Sequence, residues 1–589
     1  MNADRIAVSG ARSLWGASPV VALSALLAVQ AFGARYYVST GGSDGNAGTA
    51  ASSAWRHIAY AATKAVAGDT VYVKAGAYGK ELIEFRTSAT ASDPILFEGY
   101  KSTPGDNPQL NFQPGVAFDP GVMPLIDGGN RASGTCMLVS ASYVALRNFQ
   151  VTCFNVGVVF NGHHGLVENI LVRNIGNADV NYSGVGIKFT NGSKGGRGIA
   201  RNCIVYNSCS EGISSASSGN LIESCKVYCD DASTETSPTD YYFIIGGPKD
   251  QPTSQAEITT GSMIRDSYAE RIGNLAHGGH GFIQIHWASN NKIVNCTAKG
   301  FAGDALSFKY PGSMYNEFDS CRVIGSGHAL VPRVGATHNT FRNCWVDGAA
   351  YGISAWNERA PEVIDDTRFI NCVFTNMKGA VFFFNPYSNT GNDGGVNPVK
   401  NNTMINCVVY KAPMLFDVGR ANCGNKMVNC IVSGVTDYKT GSKPLDFSFD
   451  HCDFFDNGFA APTGTGIIEE DPFFLNAAGG DFNLQQGSKC IDAGVTDTSA
   501  AFDFAGTRRP EGQGYDIGAY EYKLVTALPQ QWAPWSTASV APASAVRACY
   551  DARGRLLTAH MPVRVSSGGV TFARPNRASP WASQVLIMR

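Results

Sequence analysis

A chain of 589 residues is too long to close over one compact core, so it holds either several domains or one elongated repeat domain. Its 66 glycines, mostly Val and Ile aliphatics, frequent Asn and scarce 3.6-period runs favour the second, as many short strands joined by turns. A net charge of −2, from 46 Lys and Arg against 48 Asp and Glu, leaves no basic footprint for nucleic acid, so any attraction for a polyanion must be local.

In chain order, Arg5 and Arg12 precede an apolar run from Pro19 to Phe32 and a small-residue site at Ala31-Phe32-Gly33. This is the pattern of a secretory signal peptide over residues 1–34, because the run is too short for a comfortable membrane span. Export follows, with no stable membrane insertion; a retained anchor is the alternative. Next, "SAWRHIAYAATKAVAGDTVYV" predicts a Ser-initiated amphipathic helix and a Gly68-Asp69 turn. They would cap the open strand edge at the start of a solenoid.

Residues 35–522 carry an internal repeat. Asn, Asp or Ser followed by Cys recurs in apolar surroundings at Cys203, Cys225, Cys296, Cys321, Cys344, Cys372, Cys407 and Cys430. Neighbours are 22, 25, 23, 28, 35 and 23 residues apart, with one gap of 71 that holds a degenerate copy at Ser267. A period near 23 with two or three short strands per unit predicts an all-β, right-handed parallel β-helix. The Cys column would point inward as free thiols, since Cβ atoms on adjacent parallel strands lie farther apart than a disulfide prefers. Pairing among Cys136, Cys153, Cys209, Cys229, Cys423, Cys452, Cys490 and Cys549 is left open.

Strand alternation counted from the Asn-Cys slot predicts which side chains face outward. It places Gln284 and His286 outside in "GFIQIHW", Ser307 and Lys309 in "DALSFKY", Val331 and Arg333 in "HALVPRV", and Ser354 and Trp356 in "YGISAWN". Spacings of 23, 24 and 23 then stack His286, Lys309, Arg333 and Trp356 as one column over four coils. Adjacent cations repel, and repulsion lowers a lysine's pKa, which favours the neutral amine that acts as a general base. Such a column suits β-elimination in a uronic-acid polymer, which needs a group to neutralise the carboxylate, a base for the C5 proton and an acid for the leaving oxygen.

The segments "DALSFK" and "HALVPRVGATHNTF" resemble the alginate lyase and chondroitin B lyase family of β-helix enzymes. That family carries acidic-x-x-Ser-x-Lys and, one coil later, an Arg before a small-residue turn. The resemblance implies Lys309 as base, Arg333 at the leaving oxygen and Asp304 as a calcium ligand. The family's second acidic ligand is Ala302 here, and its His-Gly after the Arg is Val334-Gly335. The cofactor expectation is therefore Ca²⁺ or no metal at all, with His286 and Gln284 meeting the carboxylate in the second case. His277, His280 and His286 in "HGGHGFIQIH" would be a transition-metal site only with a fourth ligand. Gly279-His280-Gly281 also occurs in β-helix polygalacturonases, but hydrolysis needs paired carboxylates and only Asp304 is at hand.

His328 aligns with Asp304 and Tyr351, from where it approaches Lys309 and Arg333. Substrate contacts are expected from Gln284, Tyr310, His328, Trp356, Tyr242 and His280, with walls from the excursions Lys226 to Thr260 and Asn385 to Asn401.

At the far end, "DPFFLN" and "GTRRPEGQGYDIGAYEY" resemble the closing segment of exported β-helix proteins. Residues 523–545 then read as a linker, and 546–589 as a small β module similar to a type IX sorting domain; a carbohydrate-binding or structural module is the alternative. The expectation is a secreted, monomeric polysaccharide lyase acting on an acidic polysaccharide, alginate foremost. The alternatives are a uronate C5 epimerase, a glycosaminoglycan lyase, a β-helix glycoside hydrolase and a non-catalytic glycan-binding surface protein.

Overall fold

A computed structural model describes residues 33–109, 112–177, 184–190, 196–230, 239–247, 251–254, 257–273, 278–355, 363–385 and 398–523, and the backbone of four short strands between 549 and 572. The chain divides into two compact units, Met1–Lys523 and Leu524–Arg589. In the second, Cys549–Tyr550 pairs antiparallel with Leu556–Leu557, and Val563–Ser566 with Gly569–Phe572. The expected signal peptide up to residue 32, His277 and Trp356 lie outside the described residues.

The first unit is a right-handed parallel β-helix. A representative coil runs through Lys292–Val294, Thr297–Lys299 and Asp304–Lys309, one strand in each of three parallel sheets. Each strand pairs in parallel with its equivalent one coil on, Glu317–Asp319, Arg322–Ile324 and His328–Arg333. Among the described residues no helix is long and apolar enough to cross a membrane.

The Asn-Cys repeat builds the corner between the first two sheets. Asn202, Asn295, Asn343, Asn371, Asn406 and Asn429 all take φ between 50° and 53°, the left-handed conformation that Asn tolerates best after Gly. That turn aims the following Cys inward, where a small, weakly polar side chain suits the crowded corner. Cys321 and Cys344 each donate to the carbonyl two residues back, at 3.4 Å. Cys452 continues the buried column one coil beyond the expected eight. All cysteines with described side chains are free thiols.

The N-terminal cap differs in detail from the expectation. The helix spans Ile58–Lys64 and starts from His57, with Ala51–Ser53 forming a separate 3-10 turn. His57 is held in place by Asp44, and the Glu81 carboxylate accepts from the Ala59 N–H, so the helix start is capped from outside rather than by a serine. Ile58, Ala61 and Ala62 close the end of the core. At the far end, single parallel bridges to Thr465 and Ile468 form a partial last coil. The segment beyond packs Phe482, Leu484, Ile517 and Tyr520 on Val373, Val408 and Ile431, apolar side chains on the outer face of the second sheet.

Candidate active site

The site lies on the outer face of the third sheet. Register pairs Tyr241 with His280, Asp304 with His328 and His328 with Tyr351, and it pairs Ile285 with Lys309 and Lys309 with Arg333. Asp304 and Lys309 share a face although they are five apart, because the chain bends between them. Ala305 and Leu306 are both in the core, as are Ala329 and Leu330 one coil later. Two consecutive inward residues reverse the alternation, and Ala at the first keeps the bend compact. Asp304, Ser307 and Lys309 therefore point out together, as do His328, Val331 and Arg333.

The charged groups are almost excluded from water: Asp304 is 1% exposed, Arg333 4% and Lys309 5%. Arg333 Nη1 donates to Asp304 Oδ2 at 2.6 Å, and His280 Nδ1 lies 3.1 Å from the same oxygen. Burial alone would raise the Asp304 carboxyl; Arg333 and then His280 outweigh it and hold the group far below the usual carboxylate range. His328 is pushed down by burial, against the pull of Asp304, and its Nδ1 lies 2.8 Å from the Ser354 hydroxyl. Its ring stacks on Tyr351 and Phe383. Lys309 Nζ sits 4.5 Å from the centre of the Tyr310 ring, whose other neighbour is His286, stacked at 4.5 Å and 12°. Along one face the order is thus His280, Asp304, His328 at the start of three successive strands, with Lys309 and Arg333 at the ends of the second and third.

Several sequence-derived placements change. Register puts Ile285, not His286, beside Lys309. His286 is the next residue, at φ 56° in the turn that ends the strand, level with Tyr310 and Val334, which are also left-handed. Gln284 is not in the groove: Phe282 and not Ile283 faces the core, so Gln284 points inward at 0% exposure, and neither amide atom has a hydrogen-bond partner among the described residues. Ile283 and Ile285 instead form an apolar patch outside with Ile244, Tyr241 and Tyr310. Tyr242 is a core residue edge-on to Phe301 at 4.7 Å and offers no ring to a ligand. It belongs to Tyr241–Gly246, a third-sheet strand inside a stretch expected to be an insertion. Two site residues were missed. Asp240 Oδ1 lies 3.9 Å from His280 Nε2, and Ser354 holds His328; aligning Tyr241 with His280 would have flagged the first.

Calcium does not fit the residues present. Oδ2 of Asp304 is taken by a guanidinium, a cation beside it opposes a second, and position 302 is alanine. Among the described residues no three His, Cys, Asp or Glu side chains group as metal ligands, and this includes His280 and His286.

Three stacked parallel sheets with a buried, charged cluster on one outer face define a β-helix of the right-handed parallel class. Residues 36–220 match the family model described as Pel9A-like, right handed beta helix region, and residues 253–374 match the one described as Right handed beta helix region. Among solved structures the chain is similar to pectate lyase Pel9A, at 15% identity over 83% of this chain and 96% of that one, TM-score 0.32. It is similar to PL6 family alginate lyase AlyGC, at 12% identity over 82% and 58%, TM-score 0.44. It is also similar to the catalytic domain of a GH87 alpha-1,3-glucanase, at 10% identity over 65% and 63%, TM-score 0.37. The likeness is one of fold, shared by lyases and hydrolases. No curated protein matches the chain.

Proposed function

We propose that the chain is a polysaccharide lyase that cleaves a uronic-acid polymer, alginate foremost, by β-elimination outside the cell. The observation that carries this reading is the pairing of Lys309 with Arg333 on adjacent coils of one outer face, with Arg333 anchored on the buried Asp304 carboxylate.

Lys309 Nζ takes the C5 proton of the uronate. The electron pair left behind forms the C4=C5 double bond as the C4–O4 bond breaks, and the departing oxygen takes up a proton from water. Arg333 stands at that oxygen, and Asp304 fixes its guanidinium so that the donors are in place before the bond breaks. With Gln284 in the core and Arg333 opposing a second cation at Asp304, the substrate carboxylate is left to the His280 and His328 imidazoles beside Asp304. The half-buried Tyr310 ring, packed on the buried Ile283 and Ile285, gives the sugar ring an apolar floor.

The test is a screen of alginate, chondroitin and dermatan sulfates and pectate, with and without chelator, followed by the ultraviolet absorbance of unsaturated products. Lys309→Ala is expected to abolish the rise and keep the fold; retained activity would sink the assignment. Activity that depends on added calcium would contradict the metal-free site.

A further inference from the structure

A second feature lies on a different face, along the outer side of the second sheet where the closing segment runs beside it. A cleft of 590 Å³ is lined by Arg322, Trp345 and Asn343 on the coil side and by Gly479, Gly480 and Phe504 opposite. A second cleft of 270 Å³ shares Arg322, Trp345 and both glycines, and extends the groove to Tyr410 and Lys411. Thr297, Arg322 and Trp345 are register partners on three successive coils, and Asp347, Thr375 and Tyr410 carry the face two coils further. At ~4.8 Å per coil the groove is ~19 Å long, enough for an extended oligosaccharide.

Its chemistry is mixed in the way a charged sugar requires. Trp345 is half-buried, with Phe482 tilted against it at 5.8 Å and Phe504 in a T-shaped contact at 5.9 Å, so the indole is fixed before any ligand arrives. Gly480 has φ 84°, and a Cβ there would lie 3.4 Å from the ring, so the closing segment passes the indole with no side chain between them. Arg322 is exposed and has no ion-pair partner among the described residues, unlike Arg342 and Lys292 on the neighbouring sheet. A fixed aromatic face beside an uncommitted guanidinium is a pairing that meets both the ring and the carboxylate of a uronate.

We infer that this groove is a second, non-catalytic binding site for an acidic oligosaccharide, with Trp345 against a sugar ring and Arg322 on its carboxylate. The inference rests on the uronate reading above and deepens it: one stretch of polymer is held on the second sheet while another enters the site on the third.

The test uses the full chain carrying Lys309→Ala, so that ligand is not consumed, titrated calorimetrically with alginate oligosaccharides and with neutral cello-oligosaccharides of equal length. Two binding events are expected for the acidic ligand, and Arg322→Ala removes one. Trp345→Phe, which keeps the packing on Phe482, weakens the same event. A melting temperature unchanged by Arg322→Ala shows that the fold is intact. An unchanged number of binding events, or equal binding of the neutral ligand at this site, overturns the inference. Absence of unsaturated products from the unsubstituted chain would sink the lyase reading instead, and the loss of one binding event would still be read independently.

Discussion

At the residue scale, Gln284 shows how much one position of register decides. Counted through the corner from the Asn-Cys slot it belongs to the groove, yet the paired inward residues Gly281 and Phe282 place it in the core with both amide atoms unbonded among the described residues. A buried amide without partners costs about 1–3 kcal/mol, so Gln284→Met is expected to raise the melting temperature and leave activity unchanged. A fall in activity would return Gln284 to the groove. Tyr242 is misplaced for another reason: its stretch reads as an insertion, whereas it and Phe243 are the inward pair of a third-sheet strand. Lys309 and Arg333 were legible because Leu306 with Phe308, and Leu330 with Pro332, mark the inner face on both strands. Their proximity to Asp304 was implied by the family resemblance and not by the alternation, because nothing in "DALSFK" announces that Ala305 and Leu306 both turn inward.

At the element scale, ladders perpendicular to the strands hold the coils in register. Asn316 Nδ2 donates to Ala288 O at 2.7 Å while its Oδ1 accepts from the Asn291 N–H at 3.0 Å, and its own N–H donates to Asn339 Oδ1 at 3.0 Å. Asn425 and Asn402 repeat the pattern further on. Asn316→Ala leaves a buried carbonyl and a buried N–H unpaired, so denaturant unfolding is expected to show a loss of about 2–4 kcal/mol. A loss below about 0.5 kcal/mol would mean that the ladder is not structural. On the outer face of the first sheet charges alternate coil by coil. Arg147 meets Glu168 at 2.7 Å, Arg201 reaches Glu168 and Glu223 at 3.5 and 2.6 Å, and Arg265 closes on Glu223. The Cys ladder was visible in the sequence because its tripeptide is distinctive. The Asn ladder was not, because insertions such as Asn385 to Asn401 break its spacing and Thr367 interrupts it.

At the scale of the whole molecule, the last coil and the closing segment meet at Asp453, which accepts from the Cys490 thiol at 3.4 Å and from the Glu470 N–H at 3.3 Å. Burial pushes this carboxyl up from 3.8 to about 7, although both donors favour the charged form. Because its folded pKa is raised, the folded chain binds the extra proton between those values. The stabilisation is full below pH 3.8 and is lost as pH rises through about 7. Asp453→Asn keeps the shape without the charge and is expected to flatten the decline of melting temperature across that window; an unchanged slope would show that the carboxylate is not the cause. What the sequence determined by itself is the solenoid: a period near 23, an Asn or Ser turn residue before each Cys of the expected inward column, and the two cations one coil apart, since these follow from local turn chemistry repeated along the chain. Only the tertiary structure decided which groups share a face with those cations. A strand's inner and outer sides exchange with a single bend, and whether Ala305 turns in beside Leu306 depends on the coils stacked above and below it.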